Sequence, residues 1–309
     1  MNAMKIVTGA GPVGWTVASQ LAEAGEQVRV LTRSGSGPDH PRIEKMRVDV
    51  SDPQALRAAI VGADAVFHCI HGSKYNAEVW QRELPAAEQT MLAAAGEIGA
   101  VVVFPESLYS YNRPEDVMRE DSPRTAGSGK RGVRTELLAA RAASATPTVS
   151  VVASDFFGPQ VRNAHAGERM VPTILAGKRV SVVASTNQPH SFTYVPDLAA
   201  AMAKAAATPA LWNTIVHAPT TAALTQREMA MAFAAAAGLP EPKVGAIPAW
   251  VVRGAGLVSK DMRDLSETLY QFERPFVMDS RESEKLLGLA PTPLPAAALE
   301  TVEWWRGQA

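Results

Sequence analysis

Short apolar runs rich in β-branched residues recur along the first 217 positions, and polar segments with helical periodicity separate them. In the helical segments, apolar residues recur three and four positions apart, as at Val17 and Leu21. Strands alternating with helices predict an α/β fold built on a doubly wound parallel sheet. The strands are predicted at Ile6–Val7, Val28–Leu31, Lys45–Val50, Ala65–Ile70, Ala100–Phe104, Thr148–Ala153 and Asn213–His217.

The turn after the first predicted strand is rich in glycine. Gly9 allows a sharp turn, Gly11 lets the backbone approach a pyrophosphate, and Gly14 allows the following helix to pack against the strand. The helix starts with Pro12 and Val13, and its free N–H groups and positive dipole end attract phosphate. An ordinary glycine-rich turn is the alternative. The flanking strands favour a dinucleotide site.

The end of the second predicted strand bears on the choice of cofactor. A site for NAD usually has an acidic residue there, which binds the ribose 2′-hydroxyl. This chain instead reads Thr32-Arg33-Ser34, in which Arg33 suits a 2′-phosphate and Ser34 adds a hydrogen bond. The pattern therefore predicts NADP as the cofactor in preference to NAD. An exposed arginine on a solvated loop is the alternative.

Composition excludes several classes of protein. The chain has 309 residues and a formal net charge of −1, with no basic stripe, so we expect no nucleic-acid partner. No apolar run reaches membrane-spanning length, and we expect no membrane association. A single cysteine, Cys69, suits a reducing compartment, and we expect a cytoplasmic protein. His68 and Cys69 would point to opposite faces of a strand, so we predict no metal site.

Six segments resemble, in the same order, the extended short-chain dehydrogenase/reductases of the NAD-dependent epimerase/dehydratase family. The resemblance implies a Rossmann domain, residues 1–155 plus 191–222, and a smaller, mainly helical substrate domain, residues 156–190 plus 223–309. It also implies cofactor contacts at Asp49, Val50, Cys69, Ile70, Phe156 and Phe157. The matching segments are Thr8–Gly14, Val48–Pro53, Asp64–His68, Phe104–Tyr111, Asp155–Pro159 and Phe192–Asp197.

The catalytic pattern of that family is incomplete in this chain. The family uses a serine or threonine with a Tyr-x-x-x-Lys helix, and Ser107 occupies the serine position. Alignment places Ser128 at the tyrosine position and Gly132 at the lysine position, so the chain resembles the atypical members. Tyr109, two residues after Ser107, is the candidate acid. We expect Lys130, in a glycine-rich stretch, to be a solvated lysine on a flexible loop.

The substrate pocket is predicted to be mostly apolar and aromatic, lined by Tyr75, Trp80, His165 and Tyr194. We therefore expect an NADP-dependent oxidoreductase, a monomer or homodimer, that reduces a carbonyl of a bulky, mainly apolar metabolite. One alternative is a nucleotide-sugar epimerase or dehydratase, for which Arg162, Arg169 and Arg179 supply cations. The other alternative is a sensor or scaffold that binds NADP without turnover.

Overall fold

The structure is a computed structural model that describes residues 4–308. The strands are β1 Met4–Thr8, β2 Gln27–Thr32, β3 Ile43–Arg47, β4 Ala63–His68, β5 Val101–Ser107, β6 Thr148–Ala153, β7 Asp155–Phe157, β8 Val180–Val183, β9 Phe192–Tyr194, β10 Thr214–His217 and β11 Val244–Ile247. The helices are α1 Pro12–Glu23, α2 Pro53–Ala59, α3 Ala77–Glu97, α4 Gly129–Ala142, α5 Val171–Leu175, α6 Val195–Ala206, α7 Gln226–Ala236, α8 Ala249–Ala255, α9 Lys260–Ser266, α10 Tyr270–Glu273, α11 Arg281–Leu287 and α12 Leu294–Arg306. Short 3₁₀ helices lie at Leu108–Ser110 and Pro209–Leu211.

Seven strands form one parallel sheet in the order β10-β6-β5-β4-β1-β2-β3, which confirms the predicted doubly wound fold. The chain builds β2 and β3 on one side of β1 and then crosses to β4 on the other side. A crevice therefore opens between the carboxyl ends of β1 and β4, the position where such sheets bind ligands. The third strand ends earlier than predicted. It is an edge strand, and its only neighbour, β2, ends at Thr32 opposite Arg47.

Helices cover both faces of the sheet. On one face α1 and α6 bury an apolar stripe against the strands, with Val17 and Leu198 fully inaccessible to solvent. On the other face α2 and α3 contribute Leu56 and Met91 to a separate cluster. This arrangement explains why the strand segments carry apolar residues on both faces.

A second apolar core gathers residues from the later part of the chain. It joins α5, α7 and α12 with β8, and Phe233 and Val302 lie at its centre. Phe192 and Tyr194 of β9 belong to this core, although the predicted boundary placed them with the first domain. Within residues 4–308 no helix is both long enough and apolar enough to cross a membrane.

Candidate cofactor and active site

The glycine turn brings β1, α1 and β4 closer together than side chains would allow. Gly9 has a φ of 86°, and a Cβ there would lie 2.9 Å from the carbonyl oxygen of Cys69. A Cβ on Gly14 would lie 2.1 Å from the carbonyl oxygen of Gly9. A Cβ on Gly11 would meet nothing within 4 Å. The turn is thus packed on its inner side and open where a pyrophosphate would approach.

Helix α1 begins at this open side, and no acidic side chain of its own first turn lies at its N-terminus. Gly11 is its N-cap, Pro12 is its first residue, no side chain caps it, and its first turn has no acidic residue. The backbone N–H groups of the first turn, at Val13 and Gly14, have no intrahelical partner. They and the helix dipole remain available to a phosphate. These features fit a bound dinucleotide.

Two arginines meet at the carboxyl edge of β2 and β3. The side chains of Arg33 and Ser34 are exposed, which agrees both with ligand contacts and with the alternative of a solvated loop. Arg47, opposite Thr32 on β3, donates from Nε to the backbone oxygen of Arg33 at 2.9 Å. The hydroxyl of Thr32 donates to the backbone oxygen of Ser36 at 3.0 Å, so it stabilises the loop. Sequence reasoning missed Arg47, because only the strand pairing brings it to Arg33.

The other predicted cofactor residues flank the crevice. Asp49 is exposed, and hydrogen bonds from Ser51, with a contribution from the charge of Arg33, lower the pKa of its carboxyl. Val50 is buried beneath this edge. Cys69 and Ile70 follow β4 and are half-buried beside Gly9. Burial raises the pKa of the Cys69 thiol, so the group is neutral.

Phe156 and Phe157 lie in different environments. Phe156 is half-buried and packs against the first core. Phe157 is buried in the second core, where its ring centroid lies 5.2 Å from that of Tyr194 and 6.2 Å from that of Phe233. The resemblance placed both residues near the nicotinamide. The side chain of Phe157 is instead enclosed by the second core.

Ser107 ends β5 and is held by a buried carboxylate. Its hydroxyl donates to Glu106 Oε1 at 3.2 Å and its amide donates to the same oxygen at 2.7 Å. The other oxygen of Glu106 accepts from Arg141 Nη1 at 2.8 Å, and Arg141 also binds both oxygens of Glu88. Burial opposes the ionisation of Glu88, but Arg141 holds its pKa below the ordinary value. The ion cluster of Glu88, Glu106 and Arg141 therefore holds the Ser107 side chain in place.

Sequence analysis did not identify the ion cluster, since its members have no characteristic spacing. Arg134 extends it. The guanidinium of Arg134 lies 3.5 Å from Glu106 Oε1 and 4.9 Å above the ring of Trp80, and its Nε has no hydrogen-bond partner. The Trp80 side chain is 1% exposed and therefore lies behind the wall of the pocket.

Tyr109 lies in the 3₁₀ helix after β5, and its hydroxyl is hydrogen-bonded to that of Tyr75. The Trp80 ring stacks on Tyr109 with centroids 6.2 Å apart. Burial raises the pKa of Tyr75 to about 12 and the pKa of Tyr109 well above 10. Both phenols are thus protonated at neutral pH, a state that donates hydrogen bonds more readily than it removes protons.

The prediction of a solvated Lys130 is wrong. The residue is fully buried, and its ammonium lies 2.8 Å from Glu267 Oε2, 2.6 Å from the Asp264 carbonyl oxygen and 4.4 Å above the Tyr75 ring. The glycine-rich stretch is the start of α4 rather than a free loop. Glu267 accepts the Lys130 N–H at 2.6 Å, and a Cβ on Gly129 would lie 2.0 Å from the same carboxylate oxygen.

A cavity of about 640 Å³ opens beside Tyr75, between the start of α3 and helix α9. More than half of its exposed wall is apolar, in line with the predicted lining, but four cations and two carboxylates line it as well. The charged residues of the wall are Lys74, Glu78, Arg82, Arg169, Lys260 and Asp264.

The predicted substrate residues do not all meet at one site. Tyr75 lines the larger cavity, whereas His165 lines a second cavity of about 250 Å³ that shares Arg169. Tyr194 is buried, and its hydroxyl donates to the exposed Glu300 of α12. Arg162 lies over the Trp304 ring at 4.9 Å, and a Cβ on Gly245 would lie 2.2 Å from Arg179 Nη2, so neither guanidinium lines the larger cavity.

Asp155 forms a second buried polar group near the tyrosines. Its Oδ2 lies 3.1 Å from His190 Nε2, and the imidazole of His190 stacks on Phe272 with centroids 4.7 Å apart. Burial lowers the pKa of His165, next to Phe272, to about 4. Sequence reasoning gave Asp155 no separate role.

Within residues 4–308, no group of three or more His, Cys, Asp or Glu residues is arranged to hold a metal ion.

Comparison with known proteins supports the fold. Residues 5–214 match the NAD dependent epimerase/dehydratase family. The chain resembles the Bordetella bronchiseptica enzyme WbmH in complex with NAD⁺, with a TM-score of 0.77, 18% identity and 99% of each chain covered. It also resembles a UDP-glucuronic acid 4-epimerase from Bacillus cereus in complex with NAD, with a TM-score of 0.74, 17% identity, and 97% of this chain and 96% of that chain covered.

A third similar structure is a UDP-glucose 4-epimerase from Thermotoga maritima with UDP-glucose, with a TM-score of 0.75, 17% identity and 99% of each chain covered. Comparison of the sequence with curated proteins gives no match.

Proposed function

We propose that this chain, which belongs to the NAD dependent epimerase/dehydratase family, is an enzyme that binds a nicotinamide dinucleotide and acts on a phosphorylated substrate of the nucleotide-sugar class. The cationic wall of the larger cavity carries this proposal. The bound nicotinamide would exchange a hydride with the substrate carbon. UDP-glucose in one similar structure agrees with the proposed class of substrate.

The charges of the cavity suit a diphosphate. Arg82, Arg169, Lys74 and Lys260 face the space together with two carboxylates, of which Asp264 already accepts a hydrogen bond from Asn76 at 2.8 Å. Arg82 lies 3.0 Å from Glu83 and Lys260 lies 4.0 Å from Glu78, so Arg169 and Lys74 are the cations without a carboxylate partner among the ion pairs of residues 4–308. Guanidinium and ammonium groups are the usual protein partners of phosphate oxygens. A volume of about 640 Å³ also lies within the range of small-molecule sites.

The chain's own groups would hold the reacting end of the substrate. Ser107, fixed by Glu106, has a hydroxyl suited to bind the substrate oxygen at the carboxyl end of β5. Tyr109 and Tyr75 place two phenols next to this point. In this proposal Ser107 acts as the serine of the family's catalytic pattern, and Tyr109 acts by holding the hydroxyl of Tyr75.

Binding of UDP and of UDP-sugars to the full chain, measured by calorimetry, tests the substrate class. We expect Arg169→Ala and Arg82→Ala each to weaken binding about tenfold, because each removes a phosphate contact. Arg57→Ala is the matched control, since Arg57 pairs with Glu97 on the outer surface between α2 and α3. Binding that is equal in all variants would contradict the proposal.

Reduction of a neutral carbonyl metabolite is the second candidate. The raised pKa values of Tyr75 and Tyr109 favour this candidate, because they keep both phenols protonated. A protonated phenol donates a proton to a carbonyl oxygen more readily than it removes one from an alcohol. Substrate panels separate the two functions. An epimerase interconverts UDP-sugars with no net change in dinucleotide absorbance, whereas a reductase consumes one reduced dinucleotide for each product molecule.

The dinucleotide itself is proposed to be NADP. Arg33 and Arg47 lie together at the edge where a 2′-phosphate would sit, and the residues directly after β2, Arg33 to Pro38, include no acid. We expect Arg33→Ala to weaken NADPH binding by about tenfold or more and to leave NADH binding unchanged. Fluorescence titration with both nucleotides measures this, with Arg42→Ala as the control. NADH binding as tight as NADPH binding in the wild type would refute the preference.

A further inference from the structure

Helix α4 brings no phenol to the site. Ser128 and Gly132 stand at the two positions where the family places tyrosine and lysine, and α4 starts only at Gly129. A phenol and an ammonium nevertheless meet in this place, because Tyr75 lies beneath the side chain of Lys130. The pair is assembled from two segments that are far apart in sequence.

We propose that Tyr75 is the catalytic residue that exchanges a proton with the reacting oxygen of the substrate, and that Tyr109, Lys130 and Glu267 are positioning residues that hold its phenol. This inference rests on the proposed function and goes beyond it by assigning the proton donor. Tyr75 is the phenol that lines the larger cavity. The residue as a whole is 43% exposed, whereas desolvation, the largest cause of its raised pKa, acts on the hydroxyl that is bonded to Tyr109.

The hydroxyl of Tyr75 is held from one side by Tyr109. The two phenol oxygens share a hydrogen bond, and Tyr109 is itself immobilised by the stacked ring of Trp80 and by Arg131, whose Nε donates to its backbone oxygen at 3.2 Å. A phenolate formed on Tyr75 would accept this hydrogen bond from Tyr109. Tyr109 thus supports the ionised state without touching the substrate.

The ring of Tyr75 is held from the other side by a buried cation. The ammonium of Lys130 lies 4.4 Å above the ring centroid and donates to Glu267 Oε2 at 2.8 Å. A positive charge beside the ring stabilises a phenolate, and Glu267 offsets that effect by its own charge. Burial remains the largest effect on the pKa of Tyr75, and the charge of Glu267 raises that pKa further.

Other titratable groups also face the pair. Asp155 and Glu267 both act on Tyr75 by charge and raise its pKa. The imidazole of His71 stacks on the Tyr75 ring with centroids 6.3 Å apart. Tyr270, whose hydroxyl has no hydrogen-bond partner, lies in the same cluster. The titration of Tyr75 therefore also depends on the ionisation of these groups.

The proton transfer balances without a further reagent. In the direction of reduction, a reduced dinucleotide held at the turn of Gly9, Gly11 and Gly14 would supply the hydride to the carbonyl carbon, and the carbonyl electron pair would move to the substrate oxygen. The O–H bond of Tyr75 breaks, an O–H bond forms on the substrate oxygen, and the electron pair remains on Tyr75 Oη. Water in the cavity returns the proton to Tyr75. Oxidation of the alcohol runs the same steps in reverse.

Fluorine NMR on the full chain labelled with fluorotyrosine tests the arrangement without turnover. The chain has five tyrosines, so single Tyr→Phe variants assign every signal. We expect Tyr109→Phe to raise the pKa of Tyr75, since it removes a stabilising hydrogen bond, and Glu267→Gln to lower it, since it removes a negative charge. Tyr194→Phe is the matched control and should leave the Tyr75 titration unchanged, because the hydroxyl of Tyr194 bonds Glu300 of α12. A Tyr75 titration that is the same in all three variants overturns the proposal.

Kinetics supply the second arm. We expect Tyr75→Phe to lower kcat by about 100-fold or more while dinucleotide affinity is unchanged. Glu267→Gln should move the basic limb of the pH profile for reduction to lower pH. Turnover by Tyr75→Phe equal to wild type overturns the assignment. Failure of the wild type to turn over any UDP-sugar, with the NMR coupling intact, contradicts the proposed substrate class alone.

Discussion

Strand β1 and helix α1 pack so closely at Gly14 that one added methyl group there would push them apart. The space for a Cβ on Gly14 is filled by the carbonyl oxygen of Gly9, whereas the space before Gly11 is open. The two glycines thus have separate tasks, close packing at Gly14 and ligand approach at Gly11. Substitution by alanine at each position separates these tasks.

We expect Gly14→Ala to lower the free energy of unfolding by about 1–3 kcal/mol through overpacking and to abolish dinucleotide binding. Gly11→Ala should leave the unfolding free energy nearly unchanged and weaken dinucleotide binding. Urea denaturation and fluorescence titration measure the two effects. Gly254→Ala is the control, because Gly254 lies in α8 with open space around it and alanine favours the helix. Equal stability of Gly14→Ala and wild type would contradict the packing argument.

Residue-level prediction from the sequence succeeded where neighbours in the chain determine the geometry. The glycine turn is such a case, since the strand, the turn and the helix are contiguous. Lys130 is the opposite case. Its burial depends on Glu267, which lies 137 positions later, and nothing in the sequence near Lys130 indicates that partner. The residues proposed to hold Tyr75 could not have been found without the fold.

At the scale of elements, the buried ion cluster ties three of them together. Glu88 lies in α3, Glu106 in β5 and Arg141 in α4, and Arg141 donates to both carboxylates. We expect Arg141→Met to lower the free energy of unfolding by about 3–5 kcal/mol, because buried Glu88 loses its counter-ion and Glu106 keeps only Arg134, 3.5 Å away. Chemical denaturation measures the change. Disruption of the exposed pair Arg57–Glu97 by Arg57→Ala should have little effect, and equal losses in both variants would refute the reasoning.

The sequence predicted the bounds of one central strand but misplaced those of β4, predicted at Ala65–Ile70 and observed at Ala63–His68. The strand at Thr148–Ala153 lies between β5 and β10 and has the predicted bounds. Short strands such as β7 and β9 were missed, since three residues leave no periodic pattern to read. Their pairing depends on contacts between distant segments, which the sequence does not display.

At the scale of the whole molecule, buried histidines make stability depend on pH. Burial lowers the pKa of His68 and of His165 to about 4, whereas the unfolded chain protonates near pH 6.5. The unfolded state therefore binds more protons between these values. Stability is fully present above about pH 6.5 and is lost as the pH falls towards 4, by about 1.4 kcal/mol per pH unit for each histidine.

Urea denaturation at a series of pH values between 7 and 4 measures this dependence. We expect His68→Gln to reduce the slope of unfolding free energy against pH by about 1.4 kcal/mol per pH unit, the contribution of one histidine. The introduced amide does not titrate and can still bond the hydroxyl of Thr8. A fall of the same steepness in the variant would show that His68 does not contribute.

The contact between Gly129, Lys130 and Glu267 has a consequence for recombination with related proteins. It joins the start of α4 to the residue after α9, so the two parts of the chain must match at this contact. A chimera that takes the first 220 residues from this protein and the remainder from a relative would bury Lys130 without its carboxylate unless the relative supplies an equivalent. Exchange of the later segment to alter substrate choice therefore requires transfer of Glu267 with it.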